Sequence, residues 1–175
     1  MKLYMTPGSC STGIHILLEE LELPFVRDDG AALTKFGAIA YWWARAYPKA
    51  RLMPGDVKGD SLVIETMDFV VGTIHGQGFT RIFTTTNFTP HEADHPAVEA
   101  RGRDIVAKAF AVMDQQLKAG EYVAGGFSIA DAALFYVEFW ADKTRIELPP
   151  NCLAHYQRML TRPAVQQVLR EEGYR

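Results

Sequence analysis

Apolar and polar residues alternate along the chain with two different periods, and the change between them marks the elements. Leu3, Tyr4 and Met5 form a short apolar run closed by Pro7-Gly8, which predicts a strand over residues 2–5 followed by a turn. Immediately after, Ile14, Leu17, Leu18 and Leu21 fall on one side of a 3.6-residue period, while Glu19, Glu20 and Glu22 take the wet side. This predicts a helix that Ser9 or Ser11 can cap. Leu23-Pro24-Phe25-Val26 begins an extended segment, Asp28-Asp29-Gly30 is a turn, and residues 31–34 can form a return strand. Phe36 to Tyr47 reads as a helix stopped by Pro48.

From Ser61 onward the period is helical throughout. Asp60 or Ser61 is expected to cap a helix carrying Ile64, Met67, Val71 and Ile74, which Gly76 and Gly78 break or bend. Residues 84–96, Thr-rich with Pro90 and Pro96, read as a loop. A helix over about 97–118 carries Val106, Phe110, Met113 and Leu117, and another runs from Ser128 to about 142. Two short helices follow Pro149-Pro150 and Pro163, with apolar faces Leu153, Tyr156, Leu160 and Val165, Val168, Leu169. The predicted architecture is a small α/β domain over 1–54, a linker over 55–60 and an all-α domain over 61–175.

Composition narrows the function classes. A chain of 175 residues that is 48% hydrophobic and 22% charged can bury a core and is unlike a disordered one. A formal charge of -3 gives no electrostatic reason to expect nucleic acid or an anionic membrane. No apolar run approaches the roughly 20 residues of a membrane span, and no signal-peptide core follows Met1-Lys2. The expected location is cytoplasmic. Cys10 and Cys152 lie too far apart in sequence to suggest a disulfide framework, and no second Cys follows Cys10 at the dithiol spacing.

Cys10 is the first candidate for chemistry. At a helix N-terminus the unpaired backbone N–H groups favour a thiolate, whereas burial favours an inert thiol, and position alone leaves both open. His91-Glu92-Ala93-Asp94-His95 matches the H-E-x-x-H zinc pattern, which needs both His on one face of a continuous helix. Pro96 disfavours helical geometry at His95 and no third ligand is evident, so no metal site is expected.

The run from Pro7 to His15 resembles the opening of beta-class glutathione S-transferases, where a Cys at this position lies beside the glutathione thiol. The segments Asp28 to Phe36, Ile74-His75 with Phe79 to Phe83, Ser128-Ile129-Ala130-Asp131, and Arg162 to Val165 are similar to further family motifs, from end to end of the chain. The resemblance implies a thioredoxin-like N-terminal domain and an all-helical C-terminal domain. Ser128 and Asp131 would form its capping box, and His75 matches a histidine facing the substrate cleft.

Three departures shape the functional expectation. Between Phe25 and Asp28, where the family carries a strand, a helix and a cis-proline before the next strand, this chain has only Val26 and Arg27. The acidic residue and small hydroxyl residue that grip the γ-glutamyl group correspond here to Lys35 and Phe36. The third is the aromatic richness of the following helix: Phe36, Tyr41, Trp42, Trp43 and Tyr47 offer more apolar surface than a reduced sheet covers, which points to a partner interface. Ile39 and one Trp are expected to pack on the C-terminal helices instead. The expectation is therefore a non-catalytic assembly subunit without cofactor, holding a protein partner such as an oxygenase and its reductase. A precedent in the family is the transferase-like accessory subunit of the bacterial methylxanthine N-demethylase complex. The alternative is a glutathione-dependent transferase or thiol-exchange enzyme using Cys10, with His75 nearby.

Overall fold

A computed structural model describes residues 6–21 and 34–174. The strand expected over 2–5, residues 31–33 of the expected return strand, the Asp28-Asp29-Gly30 turn and the shortened stretch after Phe25 lie outside the described residues. Eight α-helices are described: α1 (Ser11–Glu20), α2 (Phe36–Ala46), α3 (Val57–Phe69), α4 (Thr80–Phe83), α5 (His95–Leu117), α6 (Ile129–Lys143), α7 (Pro150–Thr161) and α8 (Pro163–Glu171). A π-helical segment, Val70–Phe79, joins α3 to α4 without a break.

The organising element is α6. Every residue from Ile129 to Ala141 is buried, so this helix has no wet face and acts as the core of the C-terminal half. It packs against α1, α2, α3, α7 and the π segment. Its N-terminus is the expected capping box: Asp131 Oδ2 accepts from the Ser128 amide at 2.8 Å and from the Ser128 hydroxyl at 2.7 Å. Asp131 Oδ1 also accepts from the Val123 amide at 2.9 Å, fixing the preceding loop.

Beneath the cap lies a fully buried ionic chain. His155 of α7 stands between Glu138 (Nδ1 to Oε2, 2.8 Å) and Asp131 (Nε2 to Oδ1, 3.3 Å). Burial opposes the imidazolium, but the two carboxylates outweigh it and His155 is pushed up to about 10. Burial is also the main reason that Glu138 rises to about 7.

The structure departs from the sequence expectations at two places. The cap of α3 is Asp56, which accepts from the Gly59 amide at 2.9 Å, and the helix starts before Asp60 and Ser61. Of the break or bend expected at Gly76 and Gly78, a break does not occur: both lie in the π segment, where the α period is lost while the helix continues. Gly78 instead allows a close crossing with α5, where a Cβ would come within 2.5 Å of Val106. Gly102 is buried at the same crossing; a Cβ there would meet the Gly78 carbonyl at 2.9 Å.

Two outcomes follow. Asp131→Ala removes the cap and leaves His155 short of one anion, so thermal unfolding should show a loss of at least about 1–2 kcal/mol. The folded-state value of His155, about 10, lies above the ordinary 6.5, so its contribution is complete below pH 6.5 and is lost as pH rises through 10. Urea titrations across this range should show stability falling with pH, with a shallower slope in His155→Asn.

Candidate functional site

The loop before α1 is held from the far end of the chain. The amide of Gly8, a glycine with φ of +68°, donates to Glu172 Oε2 at 2.7 Å, and the Thr12 hydroxyl donates to the same oxygen at 2.7 Å. Buried His15 bridges Glu172 (3.2 Å) and Glu171 (2.8 Å). Burial works against the Glu172 carboxylate, but His15, the Gly8 amide and Thr12 together hold it below its ordinary range. Trp140 of α6 adds a fourth tie, its indole N–H donating to the Gly8 carbonyl at 2.6 Å.

These ties place Cys10 at the N-cap position of α1, half-buried and in helical conformation. Burial pushes its thiol up, and the backbone amides of Cys10 and Ser11 offset this only in part. Of the two states left open by sequence, the protonated thiol is therefore favoured in the free protein. Cys152, by contrast, is fully buried in α7 and points its thiol at the Phe110 carbonyl, 3.6 Å away.

An aromatic wall stands near Cys10. Tyr136 and Trp140, one helical turn apart on α6, have ring centroids 5.0 Å apart. Phe36 packs 5.4 Å from Tyr136 and lies so near α1 that a Cβ on Gly13 would meet its ring at 2.8 Å. His75, from the π segment, stands edge-on to Trp140 at 4.9 Å, with Nδ1 3.3 Å from the Tyr136 hydroxyl. Burial lowers His75 and, together with the charge of a Cys10 thiolate, raises Tyr136. A neutral imidazole and a neutral phenol thus meet, and the phenol lies within electrostatic reach of the Cys10 thiol; π-helical segments recur at functional places.

The residues expected at a partner interface divide. Tyr41, Trp42 and Tyr47 are exposed (46%, 38% and 37%), but Trp43 is 1% exposed and belongs to the core, as one Trp was expected to. Phe36 is half-buried, packed on Tyr136 in the wall just described. Lys35 is exposed at the N-cap of α2. A groove of about 450 Å³ between α2 and α3 is lined by Lys35, Phe36, Tyr41, Ile64, Met67 and Val71. His91 precedes a 3-10 turn and His95 opens α5, so the H-E-x-x-H residues do not share a helix. Among the described residues one group has metal-ligating spacing, His15, Glu19 and Glu171, and within it His15 is already paired with carboxylates.

Residues 96–158 match the family profile of the glutathione S-transferase C-terminal domain. The chain is 30% identical to the glutathione S-transferase GstA of Escherichia coli O157:H7, with 99% of each chain covered. The chain belongs to the glutathione S-transferase family. That alignment extends over 207 positions against 175 residues here, so the relative has residues without counterpart in this shorter transferase-family chain. Its fold is shared with a Sulfitobacter glutathione transferase homologue solved with bound glutathione, at 25% identity, TM-score 0.88 and full coverage of both chains. The bacterial beta-class enzyme of Sphingomonas chungbukensis is similar at 25% identity and TM-score 0.84, again over both full chains.

Sequence reasoning found Cys10 and His75 but missed Tyr136, Trp140 and Glu172. Tyr136 and Trp140 lie in an apolar run that reads only as core, and no local pattern links Glu172 to Gly8, 164 residues away. In the free protein, alkylation of Cys10 by iodoacetamide should accelerate with pH through a midpoint above about 8.5, the usual thiol value. A thiolate already formed at neutral pH would show as a plateau below it.

Proposed function

We propose that this protein is a glutathione-dependent enzyme, a transferase or thiol-exchange catalyst, in which Cys10 faces the glutathione sulfur. The observation that carries the reading is the half-buried Cys10 thiol at the start of α1, within electrostatic reach of Tyr136, the phenol that bonds His75. Family membership supports it, as does glutathione bound to the similar Sulfitobacter protein. In conjugation, the glutathione thiol gives its proton to water, the Cys10 S–H and a neutral His75 N–H donate to the resulting thiolate, and its sulfur bonds to the electrophilic carbon as the leaving group departs with its electron pair. In exchange, the Cys10 thiolate attacks one sulfur of a glutathione disulfide, the S–S bond breaks, and glutathione thiolate leaves.

The reading of the chain as a non-catalytic assembly subunit, with an N-demethylase-like oxygenase and reductase as partners, rests on the exposed rings of α2 and on the changes at Lys35 and Phe36. The relatives above carry transferase names, which favours the enzymatic reading over it. Lys35 and Phe36 then describe an altered grip on the peptide: a cation stands where the family has an acid, and a ring lines the wall.

The test combines mass spectrometry with turnover. With oxidised glutathione, the wild type and Cys152→Ala should each take up one glutathionyl group and Cys10→Ala none. Cys10→Ala should also lower glutathione-dependent turnover at least tenfold. An unmodified wild type without turnover would overturn the proposal.

A further inference from the structure

Tyr136 is the least expected member of the site. It belongs to a helix buried all round, and in such a helix a phenol needs a partner for its hydroxyl. The partner is His75 Nδ1, 3.3 Å away across the gap between α6 and the π segment. The imidazole is confined from one further side, and the His75 backbone is tied as well. Trp140 stands edge-on at 4.9 Å, and the His75 carbonyl accepts from the Thr80 hydroxyl at 3.0 Å. Among the described residues no hydrogen-bond partner holds His75 Nε2.

We propose that Tyr136 is the positioning residue of the thiol site, its hydroxyl donating to His75 Nδ1 and so fixing the imidazole as the tautomer with its proton on Nε2. This rests on the enzymatic reading above and deepens it. Two neutral groups meet at the hydrogen bond, and for the buried phenol proton the described residues offer no acceptor but Nδ1, so the phenol is the donor. His75 then offers an N–H donor at the site rather than a base. Such a donor stabilises negative charge building on a sulfur without first having to shed or gain a proton. Tyr136 acts through His75, and its ring is held independently by Phe36 and Trp140, so the hydroxyl can be removed without removing the packing.

The experiment compares wild type with Tyr136→Phe. Two-bond nitrogen–carbon NMR on the labelled, glutathione-free chain reads the His75 tautomer directly. The wild type should show the Nε2–H form alone, and Tyr136→Phe a mixture. Steady-state turnover with glutathione should then fall roughly 3- to 10-fold in kcat with KM unchanged, the scale of one hydrogen bond between neutral groups. A wild type in the Nδ1–H form, or a variant that keeps the pure Nε2–H form, would overturn the assignment. An altered tautomer with unaltered kcat would overturn the role in turnover. A wild type inactive with glutathione would sink the enzymatic reading, while the spectra would still decide what Tyr136 does to His75.

Discussion

The complete burial of α6 is the constraint from which the rest follows. A helix without a wet face must be covered on every side, and here α1, α2, α3, α7 and the π segment do the covering. Its end is equally committed, because the Asp131 carboxylate closes the capping box, takes the Val123 amide and faces His155. A buried carboxylate with so many partners fixes where the helix starts. The starting point in turn sets which residues look toward α1.

From that register comes the site. Tyr136 and Trp140 lie one turn apart on α6, and both reach groups belonging to other segments: His75 in the π segment and the Gly8 carbonyl in the loop before α1. The other end of the chain completes the arrangement. Glu172 clasps Gly8, Thr12 and His15, so the turn that carries Cys10 is held by α6 and by the residues after α8 together. Arg162 braces the same region, pairing with Glu20 at 2.8 Å while stacking 3.9 Å over Phe127. The thiol thus owes its position to contacts far away in sequence, while its protonated state comes from burial outweighing the amides at the helix start.

Helix periods, prolines and the Ser128–Asp131 spacing made most of the helical architecture legible, because these signals are local. α2, α5, α6, α7 and α8 lie within a few residues of where the apolar periods place them. The crossing at Gly78 was not legible for a physical reason: a glycine that breaks a helix and one that admits a neighbouring helix look alike until the neighbour is known. Trp43 and Phe36 show the same limit, since an aromatic stripe does not reveal which ring the rest of the fold will cover. Cys10 was visible through its place after a Pro-Gly turn. Tyr136 was not, because a polar atom inside an apolar run declares itself only when its partner is in view.

On the proposed enzymatic reading, glutathione binds beside Cys10 even though Lys35 and Phe36 stand at the family's gripping positions. A calorimetric titration of the purified, reduced protein with glutathione tests this. Saturable heat is expected, with half-saturation at or below millimolar concentration. The absence of any heat across that range would contradict that reading.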